Sequence, residues 1–484
     1  MPHLLNVAMH YTKLLHRTLL PTCVALLAFT LPVHAFAASV ADDSTASSVF
    51  ISGVTPIDPI DGALPVSDVV VSGGYIQSIT ATGEVKPAAA SNVIDGEGHY
   101  LIPGLWDMHA HFSYDENFAE TMADLFVSYG ITSVRDTGGP TDFLIPFRDQ
   151  MEARGSAPRI YLAGPLLDGI PTVYDGHSVP EVGEPITSTA QAKARVNELA
   201  ALGVDFIKIY EMVTPEVFHA LVAAATDHQL PIAAHVPLRM RARDAAPPVQ
   251  SLEHFRNLAI DCAGDAEALL TERIQMLDAG ANEPGLTLRS SVHGAQRDNA
   301  IANEDPDECA AVIASLKTTT QVPTIRLTAM TQYPPFEASD WNEALEDLPE
   351  PMRASWKKAP EYMDPRTYRA LGQWALELIP RLDAANVTIG AGTDTPIGWA
   401  VPGYSLHREM EILRDAGLTH QQALQAATTV PAAFFGIEEQ RGRIKPGFEA
   451  DLLLLSENPL DDIRHTRSLE QVILRGEPVE STGR

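Results

Sequence analysis

The chain has 484 residues, more than one ordinary core holds unless that core is a barrel. Hydrophobic residues at 45% and charged residues at 20% exclude a disordered chain and a many-span membrane protein. A net charge of -29 speaks against a phosphate-tracking surface and hence against nucleic acid as a partner, while 3 cysteines are too few for a disulfide scaffold or a zinc finger.

Lys13 and Arg17 precede an apolar run from Leu19 to Val33 that is broken by Pro21 and Pro32. Ala35-Phe36-Ala37 then places small residues where a signal peptidase needs them, so residues 1–37 are expected to be a cleaved secretory signal peptide. A membrane anchor would want about 20 uninterrupted apolar residues. Lipidation at Cys23 is disfavoured because Thr22 is not the small residue wanted before the cysteine. The mature chain is thus expected to be periplasmic or secreted and free of the membrane. It keeps Cys262 and Cys309, either as a disulfide or as two separate buried thiols.

From Val49 to Asp95 short apolar runs alternate with Gly, Pro and Asp turns, which predicts strands. RGRIKPGFEADLLLLS and LEQVILRG near the other end have the same texture. Between them strands alternate with helices: LIPGLWDMHAHF, ITSVRD after the helix-ending Gly130, RIYLAG, VDFIKIYE after helix Ala190–Leu202, and PIAAHV after a helix opened by Thr214 and Pro215. SLEHF, VPTIRLTAM and VTIGAGTD complete eight apolar strands, the signature of a (β/α)8 barrel over residues 102–436. Residues 38–101 and 437–484 flank it. The stretch 256–320 carries both mature cysteines and the acidic run Glu304 to Glu308, and is expected to be a polar insertion near the barrel mouth.

One ordered constellation carries the chemistry. His109 and His111 lie two apart on the first strand, so both side chains leave the same face. Lys208 sits in the fourth strand, His235 ends the fifth, His254 the sixth and Asp394 the eighth, and in a barrel these ends share one mouth. Imidazole nitrogen and carboxylate oxygen are ligands for a borderline divalent ion such as Zn2+. Singly, each residue has a plainer explanation: a packed histidine, or for Asp394 a helix cap. Lys208 is harder to set aside, because an unpaired ammonium in a buried strand is strongly disfavoured. Its plain alternative is a buried ion pair with Asp107 or Glu211. Further candidates are Tyr210, on the Lys208 face, to donate to a substrate carbonyl, His177 in a turn-rich loop to contact substrate, and Arg239 after AAHVP to pair a substrate carboxylate.

PGLWDMHAH, the lysine of FIKIY, AAHVP, LEHF, and GAGTDTP followed by ALQAATTVPAAFFG and GRIKPGFEADLLLL resemble the amidohydrolase superfamily over nearly the whole mature chain. The nearest branch is similar to secreted imidazolonepropionase-like and Xaa-Pro or Xaa-Arg dipeptidase-like enzymes, and to ochratoxin-hydrolysing amidohydrolases. The resemblance implies two divalent ions, with His109, His111 and Asp394 on one, His235 and His254 on the other, and Lys208 bridging them as a carbamate formed with CO2. It also implies a small β-sandwich made by the two chain ends, and Asp394 as general base. The expected activity is hydrolysis of an amide in a small molecule such as a dipeptide or N-acyl amino acid. Alternatives on the same site are a deaminase, cyclic amidase, lactonase or phosphotriesterase. A catalytically dead binding protein is the alternative of another class. The expected partner is a small-molecule substrate, and a homo-oligomer is compatible with the sequence.

Overall fold

The computed structural model describes residues 48–480 apart from 90, 178 and 365–368, so the proposed signal peptide lies outside the described residues. Within them, no helix is long and apolar enough to cross a membrane.

The two strand-like ends of the chain meet in one nine-stranded sheet. Ser48–Asp58 pairs antiparallel with Ser67–Ser72 and parallel with Asn92–Asp95 and Tyr100–Pro103. Tyr100–Pro103 in turn pairs antiparallel with Leu452–Leu455, which pairs with Leu469–Leu474. Leu452–Leu455 is an unbroken apolar run because both of its faces are covered. With the two-residue period of a strand, Leu452 and Leu454 join Leu101 and Ile473 in a core of the sheet's own, whereas Leu453 and Leu455 join Ile102, Val472 and Leu474 in the main core. A one-residue slip would exchange the two sets, so the register is fixed by packing on both sides.

The middle of the chain is a curled parallel arrangement. Leu105–Ala110, Ile131–Asp136 and Arg159–Leu162 form one parallel sheet. Leu166–Asp168, Ile207–Ile209, Ile232–Ala234, Ser251–Glu253 and Thr320–Val322 run parallel in another. Residues 388–395 join the last of these to the first strand: Gln321 N–H donates to Thr388 O at 2.8 Å, Met108 N–H to Ala391 O at 3.0 Å and Asp394 N–H to His109 O at 2.7 Å. Helices return the chain between strands where their end signals stand. Ser188 caps Thr189–Leu202, which stops at left-handed Gly203, and Thr214 caps Pro215–Asp227 with proline in the first turn.

One expectation changes. VPTIRLTAM is not one strand: pairing ends at Val322, and Ile325–Thr328 is a helical turn. Pro323 offers no N–H to a ladder and Thr324 turns with φ 43°, after which the buried Glu409 carboxylate accepts the N–H groups of Ile325 and Arg326. The stretch 256–320 consists largely of helix, including Ala266–Ala279, Gly285–Ala302 and Pro306–Ser315. Its acidic run opens the last of these, where the Asp305 carboxylate caps the N–H groups of Asp307 and Glu308. Cys262 and Cys309 are joined as a disulfide that closes these helices on themselves.

Candidate metal centre

The six residues singled out at strand ends converge. His109, His111, Lys208, His235, His254 and Asp394 all line one small cavity of about 30 Å³, together with Tyr210. Asp394 Oδ1 lies 3.4 Å from His109 Nε2 and 3.2 Å from His111 Nε2. The His109 and His254 rings are 4.6 Å apart between centroids, and His254 and His235 are 4.8 Å apart. Ligand atoms of His109, His254 and Asp394 lie within 4.8 Å of one another, close enough to share an ion. His254 and Asp394 hold left-handed backbone, φ 63° and 62°, a strained geometry that aims each side chain back over its strand end.

Each imidazole is oriented from behind. His109 Nδ1–H donates to Glu253 at 2.6 Å, His111 Nδ1–H to Gly138 O at 3.1 Å, and His235 Nδ1–H to Glu211 at 2.9 Å. The Thr324 hydroxyl donates to Pro323 O, so its oxygen accepts from His254 Nδ1–H at 2.6 Å. These acceptors favour a proton on Nδ1, which leaves the Nε2 lone pairs of His109, His235 and His254 for a cation, while His111 Nε2 also lies 3.3 Å from Thr137 Oγ1. Burial drives His109 down to about 4 and His235 and His254 well below the ordinary histidine range, which favours the neutral, ligating form. His111 moves upward: burial opposes this, but contact with the Asp394 carboxylate outweighs it. At Asp394 burial favours the neutral acid, yet His109, His254 and His111 hold the carboxyl well below its usual range.

Behind the imidazoles sit two carboxylates held charged by arginines. Burial would raise Glu253, but Arg135, 2.8 Å away, keeps it well below the carboxylate range. Burial acts on Glu211 likewise and is overcome by Arg289 at 2.9 Å and His293 at 2.6 Å, both on the helix Gly285–Ala302. Asp107 ties the first strand to the last by accepting from His109 N–H and from the Thr393 N–H and hydroxyl. Burial lifts it to about 6.

Lys208 has neither of the counter-ions offered as its plain alternative. Asp107 is engaged by Thr393, and Glu211 by His235, Arg289 and His293. The Lys208 side chain is 1% exposed, its Nζ has no hydrogen-bond partner among the described residues, and burial lowers the amine to about 8. An unpartnered buried amine, driven toward its neutral form, stands beside four imidazoles and a carboxylate. The donor set thus fits divalent metal.

Two of the predicted substrate contacts are not brought to the cavity. The His177 side chain is 87% exposed and faces Asp175, and Arg239 pairs with Asp278 at 2.7 Å. His177 lies in a solvated turn, where a local aspartate is its readiest partner. Arg239 is intercepted by a carboxylate from the helix Ala266–Ala279, which the sequence alone could not place beside it. Tyr210 is where it was expected, buried with its ring 4.4 Å from that of His235. Glu253 and Arg256 at the site, with Tyr114 and Tyr174 on its walls, were not foreseen. The available signal was a glutamate inside an apolar strand, immediately before a candidate ligand.

Residues 331–480 match an amidohydrolase family model. Ochratoxinase of Aspergillus niger is 37% identical over 82 residues, which is 16% of this chain and 16% of that protein. Adenine deaminase 2 of Rhizobium meliloti is 34% identical over 86 residues, 18% of this chain and 14% of that protein. The matched segments thus span about one-sixth of these curated relatives. Among solved structures, bottromycin amidohydrolase superposes with a TM-score of 0.67 at 22% identity, over 90% of this chain and 87% of that one. A Xaa-Pro dipeptidase with bound methionine gives 0.64 at 21% identity, over 90% and 100%. At these identities the superpositions show shared fold. The amidohydrolase match is thus to residues 331–480, the part of the chain that carries Asp394.

Proposed function

We propose that this chain is an exported, metal-dependent hydrolase that cleaves the C–N bond of a small amide such as a dipeptide or N-acyl amino acid. The observation that carries the reading is the shared arrangement of four imidazoles, each donating from Nδ1 to a supporting group and lining one cavity with Asp394 and Lys208. The parallel strands, closed through residues 388–395, are read as a (β/α)8 barrel over residues 102–436, with the chain-end sheet as its flanking β-domain. The export reading rests on the charged and apolar pattern of residues 1–37. The Cys262–Cys309 disulfide supports it, since such bonds persist in oxidising compartments.

His109, His111 and Asp394 would hold one divalent ion and His235 and His254 a second, both read as zinc. Lys208 would lie between them. Its neutral amine can add to CO2, forming an N–C bond and releasing a proton, and the resulting carbamate has the negative charge and two oxygens that an ammonium lacks. When bound, such ions polarise a carbonyl and lower the pKa of a water. Asp394, held anionic, accepts the proton of the attacking water and returns it to the leaving nitrogen. Tyr210 keeps its hydroxyl proton, since burial raises it far above its ordinary range, and so can donate a hydrogen bond to the substrate carbonyl. Glu211 and Glu253 hold two imidazoles in the ligating tautomer throughout.

The test is metal content together with activity of the purified, zinc-loaded chain against dipeptides, N-acyl amino acids, lactones and phosphotriesters. Amide cleavage that a chelator abolishes is the expected result. Cleavage of esters or phosphotriesters alone would transfer the reading to the alternative reactions. A chain that binds no metal would overturn it.

A further inference from the structure

Arg256, like Lys208, lines the cavity without an ion pair among the described residues. Its Nε is buried and has no hydrogen-bond partner among the described residues. The carboxylates around it are committed elsewhere: Glu211 to Arg289, His293 and His235, Glu253 to Arg135 and His109, and Asp394 to His109 and His111. A buried donor left unmade is disfavoured by about 1–3 kcal/mol, and more when charged. An arginine whose Nε–H is kept in that state beside a candidate metal centre is arranged for an acceptor that arrives from outside.

The backbone explains how it gets there. Phe255 and Asn257 have φ 54° and 64°, so the chain doubles back immediately after His254 and sets His254 and Arg256 on the wall of the same cavity. The turn is braced by the Asn257 side-chain amide, which donates to Val236 O at 2.8 Å, and so is tied to the segment that follows His235. The positive charge lies close enough to bear on both of those histidines and on Tyr174 and Tyr210. Arg239, the arginine that sequence alone favours for this role, is neutralised by Asp278.

We infer that Arg256 binds the substrate's free carboxylate, and that the enzyme selects amides whose leaving amine is an amino acid with an ionised α-carboxylate. A carboxylate presents two oxygens that match the parallel N–H groups of a guanidinium. Held there, it places the scissile amide nitrogen, one carbon further along, toward the His–Asp cluster. This rests on the amide-hydrolase reading above and deepens it.

The experiment compares N-benzoylglycine with its N-methylamide, which has the same shape near the amide but no charge. Binding is measured by calorimetry to the zinc-loaded Asp394→Asn chain, where turnover is suppressed, with Arg256 intact, as Arg256→Ala and as Arg256→Lys. With Arg256 present the acid binds about 10- to 100-fold more tightly than the neutral amide. Arg256→Ala removes that preference and leaves neutral-amide affinity and zinc content unchanged, and Arg256→Lys restores part of it. Equal binding of acid and amide with Arg256 present, or equal weakening of both in Arg256→Ala, overturns the assignment. Benzoate release by the wild-type chain is assayed in parallel. If none appears while the Arg256-dependent preference stands, the hydrolase reading fails and the carboxylate site does not.

Discussion

The chain-end sheet and the strand-end cluster handle buried charge in opposite ways. At the sheet two buried carboxylates meet their complements: Asp58 lies 2.7 Å from Arg443 and accepts the N–H groups of Ile60 and Asp61, and Asp451 pairs with Arg441. Asp58 and Asp451 are accordingly held below the ordinary carboxyl range. Burial works against that, and the arginines prevail. In the cluster Lys208 Nζ and Arg256 Nε have no hydrogen-bond partner among the described residues, Asp107 is pushed up to about 6 by burial, and His254 and Asp394 are backbone-strained. The sheet is optimised for stability. The cluster is held away from its own optimum by its surroundings, which is how a site reserves unsatisfied groups for ligands.

The sharpest break in that contrast is Asp394→Asn. It should leave part of the metal bound yet lower kcat by about 10²- to 10⁴-fold, the usual worth of a positioned base. Turnover and metal content on one preparation check it, and unchanged kcat would remove Asp394 from the chemistry. Cys262→Ser with Cys309→Ser should lower unfolding free energy by about 2–4 kcal/mol in denaturant titrations, because these helices lose their closure. Replacing Glu253 by Gln should weaken metal affinity about 10- to 100-fold in chelator competition, by loosening the His109 tautomer while leaving every ligand in place. In the sheet, Asp58→Asn should remove about 1–3 kcal/mol of stability at neutral pH. The sign of its pH dependence follows from a folded pKa below the unfolded value near 3.8. The contribution is present above the unfolded pKa and is lost as pH falls through the folded one. Unfolding midpoints for wild type and variant should therefore converge as pH falls through the folded pKa of Asp58. Parallel curves would show that Asp58 acts by packing rather than charge.

How far the sequence could be read varies with the kind of information each residue carries. His109, His111, Lys208, His235, His254 and Asp394 were legible because each falls at a strand end marked by apolar runs and turn residues, and topology alone gathers such ends. The shell behind them was not. Glu211 is oriented by Arg289, 78 residues away, and the strand carrying Glu253 lies 118 residues from Arg135, separations at which local pattern carries no pairing signal. Arg239 and Arg256 look equivalent in sequence, each a few residues after a strand-end histidine. Only the placement of Asp278 on a distant helix separates them. VPTIRLTAM misled because apolar alternation continues past Pro323, whereas the decisive acceptor, Glu409, lies more than 80 residues onward.

The pairing of Tyr100–Pro103 with Leu452–Leu455 has a consequence for biogenesis. The interior strand of that sheet waits for a neighbour made about 350 residues later, or roughly 20–70 s of synthesis at ordinary elongation rates. Until then its edge is exposed and open to mispairing. Completion of the fold is therefore an event that follows translation, and nascent chains stalled before Leu452 should be the species that chaperones retain.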